Sequence, residues 1–97
     1  MSPAFPIKVP ISHGTLWRWQ DDERASWEDA GMPADGHVYT ILGRAKTRVI
    51  VNDATELEWL IQSAYDVSAW WDDRPAYRAA VGRIRDRLAD ARLAVAS

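Results

Sequence analysis

HVYTILGRAKTRVIV, residues His37 to Val51, is the stretch whose reading decides the fold. His37 to Leu42 and Thr47 to Val51 are rich in β-branched and aromatic residues, which suit a pleated, half-buried surface. Gly43 to Lys46 between them is short enough for a hairpin. The unbroken apolar run Val49-Ile50-Val51 suits a strand covered on both faces. Two antiparallel strands are therefore predicted here.

Upstream, Thr15 to Gln20 alternates. Thr15, Trp17 and Trp19 fall on one side and Leu16, Arg18 and Gln20 on the other, which predicts a third, short strand. Residues 21–36 are polar and punctuated by Gly31, Pro33 and Gly36, the signature of a loop with room for one helical turn near Arg24 to Ala30. Pro3, Pro6 and Pro10 fix φ and remove backbone donors. They predict an extended arm over residues 1–12 that is ordered only where it docks.

Downstream the period changes. Asp53, followed three residues later by Glu56, resembles a capping box and opens a helix with Leu57, Leu60, Ile61, Ala64 and Tyr65 on its core face. That helix should end by Asp72, because Pro75 disfavours α conformation at Arg74. Pro75 suits the first position of a second helix running to about Ala94, with Asp72 and Asp73 near its positive end. Along it Tyr77, Val81, Ile84, Leu88, Ala91 and Val95 follow alternating steps of four and three, a heptad seam. The expected fold is thus an α+β domain over residues 13–97: a small three-stranded, mainly antiparallel sheet followed by two C-terminal helices packed on one face.

Composition narrows the chemistry. Of 97 residues, 47% are hydrophobic and 27% charged, which excludes a wholly disordered chain. There is no cysteine, so disulfides, thiolate catalysis and cysteine-based metal sites are excluded. His13 and His37 alone supply imidazole, too few for a multi-histidine metal centre. No apolar run approaches the ~20 residues of a membrane span, and the N-terminus lacks the pattern of a signal peptide, so a cytoplasmic location is expected. The net charge of −2 hides an asymmetry. Residues 1–73 carry six basic against twelve acidic side chains, whereas residues 74–97 carry six arginines against Asp86 and Asp90.

Contact residues stand out more clearly than catalytic ones. Trp59 points about 200° from Leu57, away from the core face, and Trp70 returns to within about 20° of Trp59 if the helix persists. Asp66 lies on the same side. Tryptophan offers the large, rigid area favoured at interface hot spots. On the second helix Arg74, Arg78, Arg85 and Arg92 fall within about 40° of each other, with Asp86 and Asp90 expected on the far side. Arginine forks suit carboxylates and phosphates. The expected partner is a protein with an acidic surface, or a second copy of the chain meeting its acidic 21–35 segment. Nucleic-acid binding by the basic helix is an alternative, disfavoured by the acidic pI of about 5.6. Asp21-Asp22-Glu23 and Asp72-Asp73 read as loop and helix-cap charge rather than as Mg²⁺ ligands, and no phosphate loop or dinucleotide fingerprint is present. No cofactor is called for.

One resemblance points to catalysis. Leu16-Trp17-Arg18 with Asp21, Trp27 and Gly31-Met32 resembles the opening strand of toxin-type ADP-ribosyltransferases. Gly36-His37-Val38-Tyr39-Thr40-Ile41 resembles a later strand, and Glu56-Leu57-Glu58 the family's Glu-x-Glu. The resemblance implies that Arg18 would hold NAD and Glu58 would be catalytic. The residues by themselves point instead to a non-catalytic interaction module, a small accessory or inhibitor-like protein. It would dock through Trp59, Asp66 and Trp70 on one helix and Arg74, Arg78, Arg85 and Arg92 on the next.

Overall fold

A computed structural model of the chain describes residues 5–71 and 74–96. It opens with strand β1, Ile7–Pro10, and turns at Ser12 into helix α1, His13–Asp29. Ser12 is the N-cap, its Oγ accepting from the Thr15 backbone N–H. Leu16, Trp19 and Glu23 are buried at steps of three and four, a helical stripe. The helix stops at Gly31, whose φ of +89° suits the left-handed position after a C-cap. The Gly31 and Met32 N–H groups bond back to the carbonyls of Glu28 and Trp27, completing a Schellman closure.

Helix α2, Val38–Arg44, follows, capped by His37, whose Nδ1 accepts from the Tyr39 N–H at 3.0 Å. Strand β2, Arg48–Val51, then pairs antiparallel with β1, Ile7 opposite Val51 and Pro10 opposite Arg48. Helix α3, Ala54–Asp66, starts at the capping pair legible in the sequence. Asp53 Oδ1 accepts from the Glu56 N–H, and Glu56 Oε1 accepts from the Asn52 N–H, both at 2.9 Å. Arg44 clamps the same carboxylate through both guanidinium nitrogens, at 2.7 and 3.1 Å, and donates to the Ile50 carbonyl. The α3 axis runs on into a π-helical turn, Val67–Trp71. Helix α4, Pro75–Ala96, closes the fold.

The architecture is therefore mostly helical. Four α-helices and a two-stranded sheet stand among the described residues, in place of the expected three-stranded sheet with two C-terminal helices. The Thr15–Gln20 strand and the start of the 21–36 loop are one helix. The His37–Leu42 strand is α2, and part of the extended arm is β1. Both misread segments carry a helical stripe beneath their β-like composition: Leu16/Trp19/Glu23 and Val38/Ile41/Leu42. Packing of those stripes, with a side-chain cap at each start, outweighs the weak β preference of individual residues. The first C-terminal helix ends as α-helix at Asp66 and its π turn at Trp71, within the expected limit of Asp72; Asp72 and Asp73 themselves lie outside the described residues.

The heptad seam of α4 is core at its first four positions: Tyr77, Val81, Ile84 and Leu88 are buried with Leu57, Leu60, Ala64 and Val67 of the preceding helical stretch. No helix among the described residues is long and apolar enough to cross a membrane.

Candidate functional site

The contact residues expected from the sequence are distributed around α3 and α4. Trp59 on α3 is 38% exposed, and Trp70 in the π turn is 72% exposed. Asp66, at the end of α3, accepts from Gln62 Nε2 at 3.1 Å. Three of the α4 arginines, Arg78, Arg85 and Arg92, lie against α3 and the π turn, while Arg74 lies beside Tyr77, whose hydroxyl donates to Asp22 of the 21–35 segment at 2.9 Å. Arg78 Nε donates to the Ser68 carbonyl at 2.8 Å, and Arg92 pairs with Glu58 at 3.0 Å. Arg85 sits over the Tyr65 ring and pairs with Asp86 at 3.2 Å, so Asp86 is not remote from the row. The Arg74 guanidinium lies 5.7 Å from the Tyr77 ring centroid. Arg78 and Arg85 line an open groove of about 410 Å³ between the π turn and α4, together with Ser68, Ala69 and Gly82.

A second recess gathers residues that the sequence reading did not group. A cleft of about 280 Å³ opens between α1, the start of α2 and α3. Glu23 and Ser26 come from α1, Gly36 and His37 from the turn before α2, and Trp59, Gln62, Ser63 and Asp66 from α3. The buried end of the cleft is a hydrogen-bond relay. Trp19 Nε1 donates to Ser63 Oγ at 2.9 Å, and the Ser63 hydroxyl donates in a short bond to Glu23 Oε1. Glu23 is only 2% exposed. Burial raises its carboxyl above the usual 4.5; the Ser63 bond and the His37 ring oppose that shift, while the charges of Asp22 and Asp66 add to it.

His37 is fully used by its own chain. Because Nδ1 accepts from the Tyr39 N–H, the neutral ring carries its proton on Nε2, which lies 3.2 Å from Ser26 Oγ. Gly36 has φ of +76°, and a Cβ there would lie 3.8 Å from Trp59 Cη2, so the indole edge sits over this turn. The helical spacing of Glu23 from Leu16 and Trp19 was the available signal for its inward position. An alternating reading of Thr15 to Gln20 hides it.

The segments that resemble ADP-ribosyltransferase strands are helical here. Arg18 lies on α1 and Glu58 on α3, where Glu58 is tied to Arg92. No group of three or more His, Cys, Asp or Glu able to hold a metal ion occurs among the described residues. No family model matches the sequence, and no curated protein or solved structure matches it.

Proposed function

We propose that this chain is a non-catalytic interaction module that docks on a protein partner through the outer side of α3, the π turn and the adjoining arginines of α4. The observation that carries the reading is Trp70. Its side chain stands 72% exposed, one residue beyond Ser68 and Ala69, which line the Arg78–Arg85 groove. An indole of this exposure leaves enough apolar surface in water for about 3 kcal/mol to be gained on covering it. Trp59 and Tyr65, 38% and 45% exposed, extend the same stretch of chain. Scattered apolar residues on a surface are ordinary; three large exposed aromatics along one helical segment, with Arg85 over the Tyr65 ring, favour a contact surface.

The charge of the groove favours a partner that brings carboxylates to Arg78 and Arg85, with an apolar side chain beside them for Trp70. The experiment is cross-linking and quantitative capture from the native host, comparing wild type with Trp70→Ser and Arg85→Glu. A single partner retained by wild type and lost by both variants, each folded by circular dichroism, supports the reading. Equal capture by all three, or none, overturns it. Sedimentation of the purified chain, monomeric or dimeric, decides whether the partner is a second copy.

A further inference from the structure

We infer that the cleft beside Glu23 is a binding site for the guanidinium group of an arginine presented by the docked protein, held between the Trp59 indole and the carboxylates of Glu23 and Asp66. The inference takes the source of that arginine from the docking reading and goes beyond it in naming the chemistry of the cleft.

The first argument is an unmet acceptor. Glu23 is almost wholly buried, and its Oε1 takes the Ser63 hydrogen bond. Its Oε2 has no hydrogen-bond partner among the described residues. No fully buried side-chain nitrogen or oxygen there lacks a partner, so Oε2 opens on the cleft that Glu23 lines. The ionised carboxylate only accepts, so whatever holds Glu23 in that form at Oε2 has to donate. Ser63 cannot supply a second donor, since its one hydroxyl proton is already committed to Oε1.

The second argument is charge. Asp66 lines the same cleft and adds a second carboxylate, of which Gln62 occupies one oxygen. The His37 ring offers no free donor to the space, because one nitrogen is used by Tyr39 and the other by Ser26. Burial drives the Glu23 carboxyl toward its neutral form, and a cation placed at Oε2 supplies what burial withholds.

The third argument is shape. Trp59 forms one wall, and an indole face attracts a cation that lies over it. A guanidinium is planar, weakly hydrated and carries five donors in a fixed fork. It can stack on the ring while bonding to two carboxylates, which a strongly hydrated ammonium does less well. A volume of about 280 Å³ stands at the small end of ligand sites, enough for a side-chain tip and its methylene stem.

The test is an NMR titration of the purified chain, following the indole N–H resonances. The probes are N-acetylarginine methylamide, its lysine counterpart and its glutamine counterpart. The expected result is saturable movement of the Trp59 and Trp19 indole signals with the arginine probe, weaker movement with lysine and none with glutamine. Glu23→Gln keeps an oxygen for Ser63 and should weaken arginine binding about tenfold, the loss of one charge-assisted contact. Asp66→Asn, at a partly exposed position, should weaken it severalfold without touching the buried relay. Absence of saturation up to about 20 mM, a glutamine response equal to that of arginine, or unchanged affinity in Asp66→Asn overturns the inference. Trp70→Ser separates the two readings: it should abolish capture of the partner and leave arginine-probe binding intact.

Discussion

The Trp19 indole donates to Ser63 at 2.9 Å, and the Ser63 hydroxyl in turn donates a hydrogen bond to Glu23, one turn further along the same helix as Trp19. One hydroxyl therefore joins two successive turns of α1 to α3. All three groups are buried, so each bond removes a desolvation cost that would otherwise stand uncompensated.

Ser63→Ala should expose the weight of that hydroxyl. It strands the Trp19 N–H and the Glu23 oxygen together, and such orphaned groups cost about 1–3 kcal/mol each. Urea denaturation should show a lower midpoint with an unchanged slope.

Glu23 sets a pH dependence of unusual sign. Its carboxyl is raised in the folded chain, chiefly by burial. The folded state thus holds the proton more tightly than the unfolded one. The stability it contributes is complete below the ordinary value of 4.5 and is lost as pH rises through the raised folded value. Glu23→Gln should therefore gain on wild type progressively as pH climbs above 4.5 toward neutrality. Thermal midpoints measured across that range should diverge; parallel curves would show that the carboxyl is not desolvated.

Glu56 has the opposite sign. The Arg44 clamp, then the Asn52 N–H, hold its carboxyl below the usual range. Its stabilisation is present above the unfolded value and is lost as pH falls through the lowered folded value. Glu56→Gln should cost about 1–2 kcal/mol at neutral pH, the scale of a charge-assisted hydrogen bond. The variant and wild type should converge in strong acid, as followed by chemical denaturation at each pH.

Leu88 lies at 0% exposure on the α4 seam. Leu88→Ala should cost about 2–5 kcal/mol through lost transfer energy and the cavity left behind. Calorimetry would register this as a drop in melting temperature of about 10 °C or more.

Met32 offers a gain. It is 59% exposed and has φ of +55°, a region where any residue with a Cβ is disfavoured relative to glycine. Met32→Gly should stabilise by about 0.5–1 kcal/mol, relieving left-handed strain at the close of α1. A rise in the denaturation midpoint would register it.

The second half of the fold was legible in the sequence because its signals are local. Asp53 with Glu56 fixes where α3 starts, Pro75 where α4 starts, and the seam of Tyr77, Val81, Ile84 and Leu88 gives the face that α4 buries. The first half was not legible in the same way. Thr15 to Gln20 satisfies a period of two over six residues, and only by extending the window to Glu23 does the helical stripe appear. Val38, Tyr39, Thr40 and Ile41 favour strands individually, yet the cap at His37 and the burial of Val38, Ile41 and Leu42 impose a helix. Trp59 and Asp66 could be named from their helical angle. Glu23, Ser63 and His37 could not be joined to them, because the cleft exists only once α1 is a helix packed on α3.

A sheet of two strands has no interior strand. Beyond the ladder between them, β1 carries a margin of backbone that a third strand of any origin would find ready to pair, whereas on β2 the Ile50 carbonyl is already taken by Arg44. The side chains on this ribbon answer that hazard. Lys8, Pro10 and Arg48 are all exposed, with Lys46 just before β2. Proline has no amide hydrogen to give an incoming strand, and like charges in register would oppose a second copy laid alongside. The ribbon that anchors the N-terminal segment is thereby guarded against serving as a template for fibrous growth. Replacing its lysines and arginine by apolar residues would leave the monomer's ladder intact while removing that guard.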